Sequence, residues 1–306
     1  MRVLVTGGAG FIGAHVAQVL IQEGYAVTIL DNLSRGRREA APEGATLLEG
    51  DVADVPVVTA ALRGQDAVIH MAGLIEVAES VRTPLTFADA NVMNSLRLLE
   101  AMRASGVNRV VFSSTATVYG IPQRLPIREA DPTEAFNPYG ASKLAVEGFL
   151  SAYHHCYGLN AVVLRYFNAY GPGERHLPET HAIPNFIAAA LAGRPIPLYW
   201  NGEQVRDFVY VEDLARAHSK VLGLDGHHIF NVGAERGARI RDVLDTILRL
   251  TESRSTISDL GPRAGDVAEN YASAEQLRAA TGWQPRVELE EGLRRTVEWF
   301  RRAHGR

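Results

Sequence analysis

One cysteine, Cys156, in 306 residues leaves no partner for an internal disulfide and fits a reducing compartment. No apolar run reaches the length of about 18 residues that a membrane-spanning helix takes. The chain opens on Val3-Leu4-Val5 without a charged-then-apolar leader, so a soluble, cytoplasmic protein is expected. An excess of positive charge is missing too: a net charge of -4 speaks against a nucleic-acid binder. The one tight basic cluster of the first half, Arg35, Arg37 and Arg38, reads as loop. Solvation is its simplest role and contact with a cofactor the second. His154-His155 and His227-His228 come without a Cys or carboxylate cluster, and adjacent side chains diverge on helix or strand, so no metal site is expected.

What is present is an ordinary globular composition, 46% hydrophobic and 22% charged, in a chain long enough for two domains. Short apolar runs at 2–6, 26–30, 46–48, 67–70, 109–113 and 161–166 alternate with helical spacing at 11–23, 55–62, 84–105 and 139–157. Strand–helix alternation with short connections implies an α/β fold, a Rossmann-type doubly wound parallel sheet, over residues 1–170. After Asn168 the texture changes to recurring Gly, Pro and Asn. Residues 171–306 are expected to form a smaller mixed α/β lobe, with strands at 206–211 and 229–232 and helices at 240–250, 273–281 and 289–302. Asp213 is the expected N-cap of a helix there. It stays open whether segments near 206–232 return to the first domain.

Gly7-Gly8-Ala9-Gly10-Phe11-Ile12-Gly13 lies between a strand and a helix, where glycines let a pyrophosphate approach backbone N–H groups at the helix's positive end. A lone glycine triad is weak evidence. Asp31, at the end of the second strand, strengthens it, because a carboxylate there accepts from ribose hydroxyls and repels a 2′-phosphate, favouring NAD over NADP. Asp51, after the third strand, is either a cap on the adenine edge or the start of a turn. Tyr139 and Lys143, four apart after Asn137-Pro138, share a helix face. A nearby ammonium is expected to draw the phenol's pKa down from about 10 towards general-base range. Cys156 falls in the same helical pattern and reads as packing.

These residues, with Asp51-Val52, His70-Met71-Ala72-Gly73 and Ser113-Ser114-Thr115-Ala116-Thr117-Val118-Tyr119-Gly120, resemble the extended short-chain dehydrogenases/reductases over nearly the whole chain. The likeness is greatest to the branch that epimerises UDP-hexoses at C4. The resemblance implies bound NAD, contacted by Gly7, Gly10, Phe11, Ile12, Gly13, Asp31, Asn32, Asp51, Val52, Met71, Ala72, Gly73, Asn91, Ser113, Tyr139, Lys143 and Tyr166. It implies Tyr139 as the base at the sugar 4-hydroxyl, Lys143 on the nicotinamide ribose, and Thr115 on the same sugar oxygen as Tyr139. Asn168, His181, Leu198, Tyr199, Arg206, Arg263, Asp266 and Asn270 are implied to hold the UDP-sugar. A homodimer through helices 84–105 and 139–157 is implied as well.

The alternative within the resemblance is a nucleotide-sugar dehydratase or reductase. Relatives that eliminate water place an acidic residue near the Ser/Thr; here Ala116, Thr117 and Val118 follow Thr115, which favours epimerisation. Two further departures matter. Ile75 stands where some relatives carry a Lys near the cofactor pyrophosphate, and Asn270 stands where a bulky Tyr excludes N-acetyl sugars. The small Asn270 predicts acceptance of both UDP-glucose/galactose and their N-acetylated forms.

Overall fold

The structure, a computed structural model, describes residues 1–174, 181–261 and 267–303. In its first half β1 (Arg2–Thr6), α1 (Phe11–Gln22), β2 (Ala26–Asp31), β3 (Thr46–Glu49), α2 (Val55–Ala61) and β4 (Ala67–His70) alternate as expected. The helix expected at 84–105 is longer and broken. It comprises α3 (Val77–Arg82), α4 (Pro84–Phe87), a π-helical turn Ala88–Met93 and α5 (Asn94–Ser105). Pro84 starts a new segment because it has no N–H to continue the preceding one. β5 (Arg109–Thr115), α6 (Pro138–Tyr157), β6 (Asn160–Tyr166) and the short β7 (Asn168–Tyr170) follow.

Beyond β7 come α7 (Ala182–Ala192), which the turn-rich composition concealed, β8 (Ile196–Leu198), β9 (Val205–Tyr210), α8 (Val211–Val221) and β10 (His227–Val232). β11 (Gly237–Arg239), α9 (Ile240–Thr251), β12 (Ile257–Asp259), β13 (Glu269–Asn270), α10 (Glu275–Thr281) and α11 (Leu289–Ala303) complete the described chain. Val211 therefore opens a helix instead of ending a strand, and Asp213 is not an N-cap. It lies inside α8, fully buried, where its carboxylate accepts from the backbone N–H of Arg286 and Val287 at 3.0 Å each.

Seven parallel strands form the main sheet in the order β10-β6-β5-β4-β1-β2-β3. One face is covered by α1 and α8 through Val16, Leu20, Leu214 and Val221, the other by α2, α5 and α6 through Val58, Leu98, Met102, Val146 and Leu150. Helices on both faces explain why the strands read as continuous apolar runs instead of alternating ones. β10 comes from late in the chain yet extends this sheet beside β6. A separate core gathers Tyr170, Phe186, Ile187, Leu198, Leu244, Val297 and Phe300, around a small sheet of β7, β9, β11 and β13.

The chain runs outward in one direction from β1 through β2 and β3, and in the other from β4 through β5 and β6. Loops leaving the C-terminal ends of β1 and β4 therefore diverge. The crevice between them is where open α/β sheets take their ligands.

Candidate active site

At the end of β1 the backbone turns so tightly that glycine is required. A Cβ on Gly7 (φ 71°) would stand 2.8 Å from Ala72 N, and one on Gly13 would stand 2.2 Å from Gly7 O. No side chain caps the first turn of α1, whose N-cap is Gly10. Its N–H groups are thus available to a phosphate, and the residues fit a dinucleotide. Phe11 and Ile12 open this helix; Phe11 packs edge-on against His15, and Ile12 leans on the core. Asp31 is 7% exposed and accepts from Ala9 N and Leu33 N, both at 2.9 Å, so it ties the loop after β2 to the glycine turn. Each oxygen keeps a lone pair for a ribose hydroxyl. Asp51 serves the turn reading through Ala53 N (2.7 Å) and also accepts from Asn32 Nδ2 (2.6 Å), while Val52 is buried beneath it.

After β4, Met71 and Ala72 donate their N–H groups to the Thr6 hydroxyl at 3.3 Å, and Gly73 leads into a loop held from behind. Asn91, on the π-helical turn, accepts from Leu74 N (2.8 Å) and donates to Leu74 O and to Ser142 Oγ, both at 2.9 Å. Its amide is committed to bracing this loop against α6. Asn91 thus holds in place the loop that lines the crevice.

α6 starts where Asn137 Oδ1 accepts from Gly140 N at 2.8 Å, with Pro138 fitted to the first turn. That start sets Tyr139 and Lys143 beside the end of β5. The Thr115 hydroxyl stands close enough to the Tyr139 phenol to favour its ionised form, and it donates to Thr117 Oγ1 at 2.9 Å. Lys143 Nζ donates to Ser113 O at 3.0 Å and lies 4.9 Å from the Phe112 ring centre. Tyr166, at the end of β6, bonds Ser113 and His218.

The expected ordering of acidities does not hold for the protein groups by themselves. Burial pushes the Tyr139 phenol up to about 12, opposed by the Thr115 hydrogen bond and aided by the charge of Glu76. Burial also pulls Lys143 down to about 8, opposed by Glu147. Neither group figures among the causes of the other's shift; loss of water governs both.

Glu147 is one residue that sequence reasoning missed. Four positions after Lys143, it is 4% exposed and paired with Arg165 at 2.6 Å. Ser114 also donates to it, and Arg165 reaches Tyr119 Oη at 2.8 Å. The (i, i+4) spacing to Lys143 was the available signal. Glu76 is the other. It sits in the loop after β4, close enough to influence Tyr139, and pairs with Arg35 at 3.1 Å.

The substrate candidates divide. Register pairs Asn270 with Arg206 and Asn168 with Phe208 across β9, so Asn270, Arg206 and Asn168 project from one face of the small sheet. Asn168 Nδ2 donates to Asp207 O at 3.0 Å, and Arg206 donates to Val205 O at 2.9 Å. The buried Asn270 Oδ1 accepts no hydrogen bond. Tyr199 is 39% exposed, whereas Leu198 is 2% exposed and its side chain is enclosed in the lobe core. His181 bonds the buried Glu174 through Nδ1 at 2.5 Å. Arg263 and Asp266 lie outside the described residues. Asp207 accepts from Ala234, Glu235 and Ala272 N–H groups, which marks it as structural. The adjacent histidines of α6 do not diverge as expected: the His154 and His155 rings meet edge to face at 5.2 Å, and His154 also stacks on His227 at 6.1 Å. Among the described residues no group of three or more His, Cys, Asp or Glu is placed to hold a metal.

Comparison with known proteins agrees with this geometry. Residues 3–233 match the NAD dependent epimerase/dehydratase family. A UDP-glucose 4-epimerase of Corynebacterium glutamicum is 42% identical, the alignment covering 93% of this chain and 91% of the relative. The crystal structure of a Thermotoga maritima UDP-glucose 4-epimerase with UDP-glucose superposes with a TM-score of 0.95 at 36% identity, covering 99% of this chain and all of that one. A UDP-N-acetylglucosamine 4-epimerase of Methanobrevibacter ruminantium, in complex with UDP-N-acetylmuramic acid, gives 0.94 at 35% identity over 99% and 98% of the two chains. With a glycine turn built for a pyrophosphate and a Tyr–Thr–Lys cluster at the same sheet edge, the chain belongs to the NAD dependent epimerase/dehydratase family.

Proposed function

We propose that this protein interconverts UDP-hexoses at C4, an isomerase acting with NAD. The observation that carries the reading is the convergence of Tyr139, Thr115 and Lys143 at the end of β5, beside the crevice that the glycine turn enters. When bound, NAD supplies a hydride acceptor that is restored in each cycle, so C4 is oxidised and re-reduced without net redox change. Tyr139 takes the proton of the 4-hydroxyl as C4 becomes a ketone, and returns it after the sugar has presented its other face. Thr115 holds the same oxygen, and its bond to Thr117 keeps its hydroxyl oriented. Lys143, fixed on Ser113 O, places its cation in the same buried cluster, and the phenolate that proton abstraction needs forms against the burial that holds Tyr139 up at about 12. Asn168 and Arg206, which share one face of the small sheet, take the diphosphate, to which a guanidinium presents a planar fork of donors. Asn270 beside Arg206 leaves room at the sugar's C2, which extends the substrate range to N-acetylhexosamines.

The chain is divided functionally into an NAD-binding part, residues 1–170 with β10 returning to it, and a sugar-nucleotide lobe formed mainly by residues 171–306. Pairing of two copies through α4, α5 and α6 accounts for Leu85 at 79% exposure and Phe149 at 41%, apolar side chains on adjoining elements. Cys156 is exposed on α6, not packed as its helical position suggested, because it falls on the face turned from the sheet; a free, exposed thiol suits the cytoplasm. Among the described residues no helix is long and apolar enough to cross a membrane.

The test is product analysis with UDP-galactose and, separately, UDP-N-acetylgalactosamine, on wild type and Tyr139→Phe, each without and with added NAD. Conversion of both sugars to their gluco epimers, lost in Tyr139→Phe while NAD binding persists, is the expected result. Full activity of Tyr139→Phe, or release of a dehydrated sugar, would overturn the reading.

A further inference from the structure

The basic cluster after β2 and the absence of a lysine at position 75 meet in one contact, the ion pair between Arg35 and Glu76 at 3.1 Å. Arg35 belongs to the loop leaving β2, and Glu76 to the loop leaving β4. β1 lies between those two strands in the sheet. A bridge between these loops therefore crosses above the C-terminal end of β1, where the glycine turn starts α1.

Both abutments are fixed. The loop after β2 is tied to the turn by Ala9 N to Asp31 and by Arg37 N to Ala9 O at 3.0 Å. Gly36 lies so close that a Cβ there would stand 3.0 Å from the carbonyl carbon of Ala9. On the other side, Asn91 braces Leu74, and Ile75 N donates to Glu76 Oε2 at 3.3 Å. Glu76 is 12% exposed at its side chain and Arg35 52%. The carboxylate is thus the more enclosed end of the bridge and the guanidinium the more exposed one.

The geometry points to Arg35 as a pyrophosphate-binding residue, stretched by Glu76 across the glycine turn to supply the cation that Ile75 does not. This rests on the NAD-dependent reading above. A guanidinium has five N–H donors, so Arg35 serves a phosphate oxygen while still bonded to Glu76. Because Arg35 faces the β4 side, it serves the pyrophosphate and not a phosphate on the adenosine 2′-hydroxyl. Glu76 brings a negative charge towards the same anion. Its cost to cofactor binding is cancelled only while Arg35 is present.

The experiment measures NAD and NADP dissociation constants by fluorescence or calorimetry, after cofactor removal, for wild type, Arg35→Ala, Glu76→Gln and the double variant. Arg35→Ala is expected to weaken NAD binding by roughly tenfold or more, the scale of a lost charge-assisted hydrogen bond. The double variant should regain part of that loss, because the unpaired carboxylate is gone. NAD binding unchanged in Arg35→Ala overturns the assignment. So does a double variant as weak as Arg35→Ala, or a loss confined to NADP, which would place Arg35 on the 2′-phosphate. Circular dichroism of each variant separates these results from misfolding. A wild type that binds neither nucleotide would sink the NAD reading itself, a distinct outcome.

Discussion

Lys143→Met should make this protein more stable at pH 7 while disabling its active site. The ammonium is 4% exposed, and burial lowers its pKa from 10.5 to about 8. Below pH 8 the side chain is charged both folded and unfolded, and the folded state bears the full desolvation cost. Between pH 8 and 10.5 only the unfolded chain stays protonated, so the cost fades as pH rises. A fall from 10.5 to about 8, at about 1.4 kcal/mol per pH unit, sets that cost at ~3 kcal/mol. Methionine fills similar space without charge but leaves Ser113 O short of one donor, a loss of about 1 kcal/mol. The net expectation is about 2 kcal/mol of stabilisation at pH 7, a Tm rise of a few degrees for a chain of this size. Urea unfolding of both proteins at pH 7, 8, 9 and 10 checks it, and the difference should shrink steadily above pH 8. Destabilisation at pH 7, or a gap that does not change with pH, would refute the reasoning.

Asn270→Tyr should abolish conversion of UDP-N-acetylgalactosamine and spare UDP-galactose; loss of both or of neither counts against an open gate at C2. Arg165→Ala leaves Glu147 buried with Ser114 as its remaining side-chain donor, and should cost about 3–5 kcal/mol in urea unfolding, whereas a surface pair such as Arg236–Glu288 should cost under about 1 kcal/mol. His70 and His218 are held neutral by burial, at about 3 and about 4. Their folded pKa values lie below 6.5, so their contribution is complete above pH 6.5 and falls by about 1.4 kcal/mol per unit for each as pH drops towards 4. His218→Gln should flatten the slope between pH 6.5 and 4 relative to wild type; parallel curves would show that burial does not control this group.

Local, repetitive or backbone-dictated features were legible from residue order. The glycine turn reads directly, since no other residue survives 2.2 Å from Gly7 O. The doubly wound sheet follows from apolar runs alternating with helical spacing, and the Tyr139/Lys143 face follows from 3.6 residues per turn. NAD dependence and the epimerase family were likewise read from motifs held within short stretches.

Contacts between distant segments were decided by tertiary structure alone. Asp213 looked like a cap because capping is local, but two backbone donors 73 and 74 residues away claim it. Leu198 was implied beside Tyr199 as a contact to the UDP-sugar, yet the lobe core encloses its side chain. Asn91 became a brace because a π-helical turn aims it at Leu74 and Ser142. The acidities of Tyr139 and Lys143 moved against the order that spacing suggested, because desolvation depends on everything packed around a group and spacing records only one neighbour. Arg35 is the same lesson in reverse. Its sequence neighbours say loop, and only the placement of β1 between β2 and β4 carries its charge across the glycine turn to Glu76. Residue order determined what each segment is, through local geometry and burial pattern. Which segments meet depends on strand order and packing, and that meeting sets the charges and contacts of the site.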